Sequence, residues 1–142
     1  MTDMPLPVPE DLTSMVLRTD FGDEAAWLAV RTAIDEADGH PHATYVSHPR
    51  FAGMSIETLI DEASAAEDDD HPGYVFLADA ITMTDPSVPL LAVDLHDEPG
   101  RQFRVPAQWY PEISANLSIA NMDFADFADE VDDSGTFRGW RD

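Results

Sequence analysis

A chain of 142 residues with 44% apolar side chains is long enough to bury a core unaided and too apolar to be a disordered acidic tail. It contains no Lys and no Cys, and seven Arg stand against 29 acidic residues for a net charge of −22. The missing Cys excludes a disulfide framework and any thiolate nucleophile, and the charge repels nucleic acid, anionic lipid and acidic substrates while attracting basic protein faces.

Met1 to Thr13 carries Pro5, Pro7 and Pro9, and alternating prolines predict an extended arm. This stretch has no basic segment followed by an apolar one, so no signal peptide is expected. No apolar run approaches the length of a membrane span. The expectation is a cytoplasmic protein with one domain over residues 14–142.

Ser14 to Phe21 reads as a first strand, with Met15, Leu17 and Thr19 on one face and Val16, Arg18 and Asp20 on the other. Asp23 and Glu24 open a helix reaching about Ala37, with Trp27, Val30 and Ile34 as its apolar stripe. Ala43 to Ser47 is a short second strand. Ser55 caps the next helix, in which Ile56, Leu59, Ile60 and Ala63 face the core. It runs out in the acidic stretch 67–70.

Tyr74 to Ala78 and Leu90 to His96 are continuous apolar runs of strand length, the pattern of strands buried on both faces. A third strand, Arg101 to Val105, follows Asp97-Glu98-Pro99-Gly100, which is a hairpin signature. Placing Phe103 and Val105 on the face of Leu91, Val93 and Leu95 pairs Leu95 with Phe103 and Val93 with Val105. That register sets Asp94 opposite Arg104, with Gly100 at a left-handed turn position. Pro106 to Ala120 is expected to be helical despite Pro111. Phe124, Phe127, Ala128 and Val131 are the buried stripe of a last helix over 124–131, leaving Asp126, Asp129, Glu130 and Asp133 wet. The tail around Phe137 is aromatic enough to dock. The fold expected is α/β, with α+β as its variant: a mixed sheet of about five strands and three to four helices.

Chemistry-bearing clusters are sparse. Asp94, His96, Asp97 and Glu98 follow an apolar strand, where acids, bases or ligands sit in open α/β sheets. A plain hairpin with Asp97 paired to Arg101 and Asp94 to Arg104 explains the same residue types. His40, His42, His48 and His71 lack metal-ligand spacing, and Asp68 to Asp70 lacks the glycine and closing Glu of a calcium loop. No metal site and no cofactor are expected. None of the serines lies in a nucleophile elbow, and no glycine-rich phosphate loop is present.

The strings Val16-Leu-Arg-Thr-Asp-Phe21, Asp97-Glu-Pro-Gly-Arg101, Asn116-Leu-Ser-Ile-Ala-Asn-Met-Asp-Phe124 and Phe137-Arg-Gly139 resemble an uncharacterised actinobacterial family known only as a domain of unknown function. The resemblance spans Ser14 to Gly139. It implies a small single domain from a GC-rich bacterium and carries no activity and no site residues. In size and acidity the chain is also similar to bacterial immunity and antitoxin proteins.

Two functions follow as expectations. The first is a non-enzymatic acidic binding protein that engages a basic protein partner through Asp126, Asp129, Glu130 and Asp133, with Asp97 and Glu98 as the second surface. The alternative is a small enzyme or ligand-binding domain using Arg18, Asp20, Asp94 and His96, which requires a pocket holding an Asp or His of shifted pKa. Nothing in the sequence speaks to oligomeric state.

Overall fold

The computed structural model describes residues 13–38, 43–65, 73–118 and 122–139. Apart from Thr13, the Pro-rich arm lies outside them. So do the acidic stretch 67–70, His40, His42 and His71.

Five strands form one mixed sheet in the order β2-β1-β3-β4-β5: β1 (Ser14–Arg18), β2 (Ala43–Val46), β3 (Tyr74–Ala78), β4 (Pro89–Asp94) and β5 (Gln102–Pro106). β1 runs parallel to both β2 and β3, and β3-β4 and β4-β5 are antiparallel. α1 (Glu24–Asp38) carries the chain from β1 to β2, and α2 (Ile56–Ala65) carries it back past β1 to β3. The two crossovers travel in opposite directions along the sheet. Right-handedness therefore puts their helices on opposite faces.

This topology explains the continuous apolar runs. β1 and β4 are buried along their whole length and β3 nearly so, because side chains of both parities meet a helix layer. Val16, Phe76, Leu90 and Ala92 pack with Trp27, Val30 and Ile34 of α1 and with the C-terminal helices. Met15, Leu17, Val75, Leu77, Leu91 and Val93 pack with Phe51 and with Leu59 and Ala63 of α2.

The hairpin register differs from the sequence expectation. Leu91 faces Arg104, Ala92 faces Phe103 and Leu90 faces Val105. This is a slip of three positions from the predicted pairing, an odd number, so Phe103 and Val105 join the α1 layer rather than Leu91 and Val93. Asp94 and Arg104 are not partners. Alternation cannot fix the register here, because both parities of β4 are buried and apolar positions stand on each, so either register buries a hydrophobic face. Leu95 remains buried in the α2 layer.

The helix inventory also shifts. A five-residue helix, α3 (Ala80–Thr84), lies between β3 and β4, which makes five helices among the described residues. α4 (Tyr110–Ser118) accommodates Pro111 in its first turn, where the missing N–H has no helical partner to lose. α5 (Phe124–Ala128) stops short of the expected Val131, and Asp129, Glu130 and Asp133 follow it rather than belong to it. The tail does dock. Thr136 bridges to Arg104 of β5, and Phe137 is fully buried between Trp109 and Phe127. Gly139, at φ +99°, lies so close to the Trp109 ring that a Cβ would stand 3.0 Å from it.

At the lower end of β1 the hydroxyls of Tyr74, Ser14 and Ser114 form a chain, each link 2.7 Å. Ser14 and Ser114 are buried, and each buried oxygen finds a partner in the other. These two serines tie α4 to the sheet.

Candidate functional site

β4 ends at Asp94, a carboxylate only 3% exposed. Burying it is tolerable only if its lone pairs are filled. Oδ1 accepts the backbone N–H groups of His96 at 2.9 Å and Asp97 at 3.2 Å, and Oδ2 accepts that of Glu98 at 3.0 Å. The Asp94 backbone closes the loop from outside, with its N–H on the Arg101 carbonyl and its carbonyl receiving the Gly100 N–H, both at 2.8 Å. Gly100 takes φ +96° there, a conformation that costs glycine little. Asp94 therefore organises the loop from within.

The loop points its charged side chains outward. His96 is exposed and its Nδ1 lies 2.9 Å from the Asp97 carboxylate. Arg101 donates from NH1 to Glu98 Oε2 at 3.0 Å and from NH2 to Asp129 Oδ1. The expected Asp97–Arg101 pair is thus replaced by a Glu98–Arg101–Asp129 bridge. The two acidic segments named from sequence, the hairpin loop and the stretch after α5, are linked by the Arg101 guanidinium.

The other acids of these segments are placed by local structure. Asp126 is exposed, and its carboxylate accepts the Asp123 N–H at 2.9 Å at the start of α5. Asp133 is exposed and Glu130 half-buried. Between them, Asp132 is held well below the usual carboxylate range, first by the Ser134 hydroxyl, then by the Arg138 guanidinium and the Thr136 N–H.

The alternative site of Arg18, Asp20, Asp94 and His96 does not assemble. Arg18 aligns with Ala78 at one end of β3, whereas Asp94 aligns with Tyr74 at the other. Four residues of strand, roughly 13 Å, separate the two ends. Two cavities lie beside α1. A cavity of about 500 Å³ lies between α1 and the loop before β4, lined by Ala33, Glu36, Val88 and Gln108 among others. One of about 260 Å³ beside it includes Asp85, whose pKa is lowered, chiefly by the Ser87 N–H and hydroxyl. A carboxylate stabilised as its anion is a weaker proton acceptor.

His48 fills a structural role, its Nδ1 accepting the Arg50 N–H at 3.1 Å at the start of a one-turn 3₁₀ segment. Among the described residues no group of three His, Asp or Glu side chains is arranged to hold a metal ion.

Sequence reasoning missed the pairing of Asp79 with Arg104, two parallel hydrogen bonds of 2.9 Å each. A usable signal was present. Asp79 stands three residues before Thr82, the spacing of a reciprocal helix cap, and Thr82 N–H donates to Asp79 while Thr82 Oγ1 accepts the Asp79 N–H, both at 3.2 Å.

A family model described as a domain of unknown function, DUF6924, matches residues 13–140. No curated protein matches the chain.

Proposed function

The chain belongs to the DUF6924 family, which brings no assigned activity, and we propose from its own surface that it is an acidic binding protein engaging a basic protein partner, in the manner of immunity and inhibitor proteins. The observation that carries this reading is the Arg101 bridge. It brings Glu98 and Asp129, 31 residues apart in sequence, onto one guanidinium, and Asp97, Asp126 and Asp133, their near neighbours in sequence, are exposed as well. The overall charge of −22 supplies the long-range field, and such a field speeds encounter with a basic face. The loop that presents Asp97 and Glu98 is braced from within by Asp94, so these acids are held in place before a partner arrives, which lowers the ordering cost of binding.

No described helix is long and apolar enough to cross a membrane. The reading is non-enzymatic and excludes nucleic acid as a partner on grounds of charge.

Affinity capture from the native host with the immobilised full chain tests this. The expected result is a basic protein, retained at low salt and released as the Debye length falls from ~30 Å at 0.01 M to ~3 Å at 1 M. Its retention should fail on a chain in which Asp126, Asp129, Glu130 and Asp133 are changed to Asn or Gln. Capture of an acidic or neutral protein with equal yield on both chains would overturn the proposal.

A further inference from the structure

The reversal of direction between the two parallel crossovers creates a switch point at the upper ends of β1 and β3. In open α/β sheets the loops diverge at such a point and leave a place for a ligand. Here it is occupied by Arg18, the last residue of β1, which is 1% exposed.

A guanidinium so deeply buried is costly unless every donor is used. Arg18 uses most of them. Nε donates to the Asp20 carbonyl at 2.9 Å, and NH1 donates to Glu24 Oε2 at 2.7 Å and to Ser47 Oγ at 3.3 Å. The guanidinium carbon lies 4.3 Å from the centre of the Phe21 ring and 5.5 Å from that of Trp27. NH2, equally buried, has no partner among the described residues.

Glu24 is a peculiar partner for such a group. Its side chain is 73% exposed and meets the guanidinium through a single oxygen on a single nitrogen. Carboxylate and phosphate groups instead prefer the fork of two adjacent guanidinium nitrogens. Glu24 also stands in the first turn of α1, a helix of 15 residues, whose positive end favours an anion.

We propose that the upper end of β1 is an oxyanion subsite in which a carboxylate or phosphate group of a small molecule spans NH1 and NH2 of Arg18, accepts from the Ser47 hydroxyl, and displaces Glu24 into solvent. Glu24 acts as an internal placeholder. It balances the buried charge when the subsite is empty and competes with the ligand for NH1. The orphaned NH2 is the half of the fork that Glu24 leaves unfilled. This subsite lies on β1 and is independent of the acidic face.

The test titrates the full chain with acetate and, separately, with inorganic phosphate at constant ionic strength, reading the ¹⁵N–¹H signals of the Arg18 side chain. A saturable shift with one of the two anions is expected, and which of them gives it distinguishes a carboxylate ligand from a phosphate one. Glu24→Gln retains an acceptor for NH1 but removes the competing charge. It should bind at least about fivefold more tightly, because the competent state no longer has to displace a carboxylate. Arg18→Lys keeps the charge without the fork, and its backbone amide signals at Glu24 and Ser47, which shift on binding in the unaltered chain, should show no saturable response. If that variant fails to fold, the comparison of Glu24→Gln with the unaltered chain still decides. No saturable shift with either anion in either form, or equal affinity in both, would overturn the proposal.

Discussion

Replacing Asp94 by Ala should destabilise the fold by about 3–4 kcal/mol, or roughly 10 °C in Tm. The carboxylate is buried and receives three backbone N–H groups from His96, Asp97 and Glu98. Hydrogen bonds to a charged acceptor each contribute about 1.5–3 kcal/mol, and donors left unsatisfied cost more than the mean bond contributes. Asp94→Asn keeps one oxygen and the shape of the side chain, so its cost should be about half. Urea unfolding measures both. Amide exchange should show the loss confined at first to residues 95–100, since that loop is what the carboxylate organises. An Ala variant within about 0.5 kcal/mol of the parent, the range of ordinary surface substitutions, would mean that the loop is held by something else.

The second large effect is expected at Asp79 and Arg104. Their bidentate pair ties β5 to the start of α3 across the intervening strand, and Arg104 also reaches the Pro89 carbonyl at 3.3 Å. Asp79→Ala removes the α3 cap and strands a largely buried guanidinium, a combined cost of about 3 kcal/mol. Arg104→Gln should cost about 2 kcal/mol, and the double variant should fall short of the sum by about 1–2 kcal/mol, because the two residues act as one unit.

The pair also sets part of the pH response. Burial pushes the Asp79 carboxyl up, but the Arg104 guanidinium and the Thr82 N–H outweigh burial and leave its pKa below the ordinary value. A carboxylate depressed in the folded state contributes stability that is complete above its unfolded pKa, near ~3.9. That contribution disappears as pH falls through the folded value. Asp79→Asn should therefore flatten the acid limb of the stability curve below about pH 4, leaving the slope that belongs to Asp132 and its Ser134 and Arg138 partners. An unchanged acid limb would remove Asp79 from the account.

The parts of the fold legible from sequence are those set by local pattern. Tyr74 to Ala78 was recognisable because burial on both faces leaves an uninterrupted apolar run, and the strand read over Ser14 to Phe21 from its two alternating faces is formed over Ser14–Arg18. The Trp27–Val30–Ile34 stripe was recognisable because a helix repeats every 3.6 residues. Alternation settles register only where one face is wet, so it could not do so for β4, and the resulting slip misassigned Asp94 and Arg104. α3 is a single short helix of five residues and presents too few positions for a period to be seen.

The site was legible as composition and not as geometry. Both acidic segments could be named, as could the left-handed Gly100, but the contact that joins them spans 28 residues between Arg101 and Asp129. With seven Arg among 29 acids, no spacing rule tells which acid each guanidinium takes. Arg18 shows the same limit. The alternation puts it on the face of Val16 and Asp20 without showing its depth, and its burial comes from Phe21, Trp27 and Glu24, which pack around the guanidinium only in the folded chain.

Association kinetics distinguish an acidic face that steers a partner from one that is merely solvated. The captured partner should be mixed by stopped flow with the parent chain and with the form carrying Asn or Gln at positions 126, 129, 130 and 133. If the acidic face steers binding, the parent should associate at least about tenfold faster at low ionic strength, and its rate should fall steeply with salt while that of the neutralised form changes little. Equal rates with equal salt dependence in the two forms, with the fold of both verified, would contradict the account.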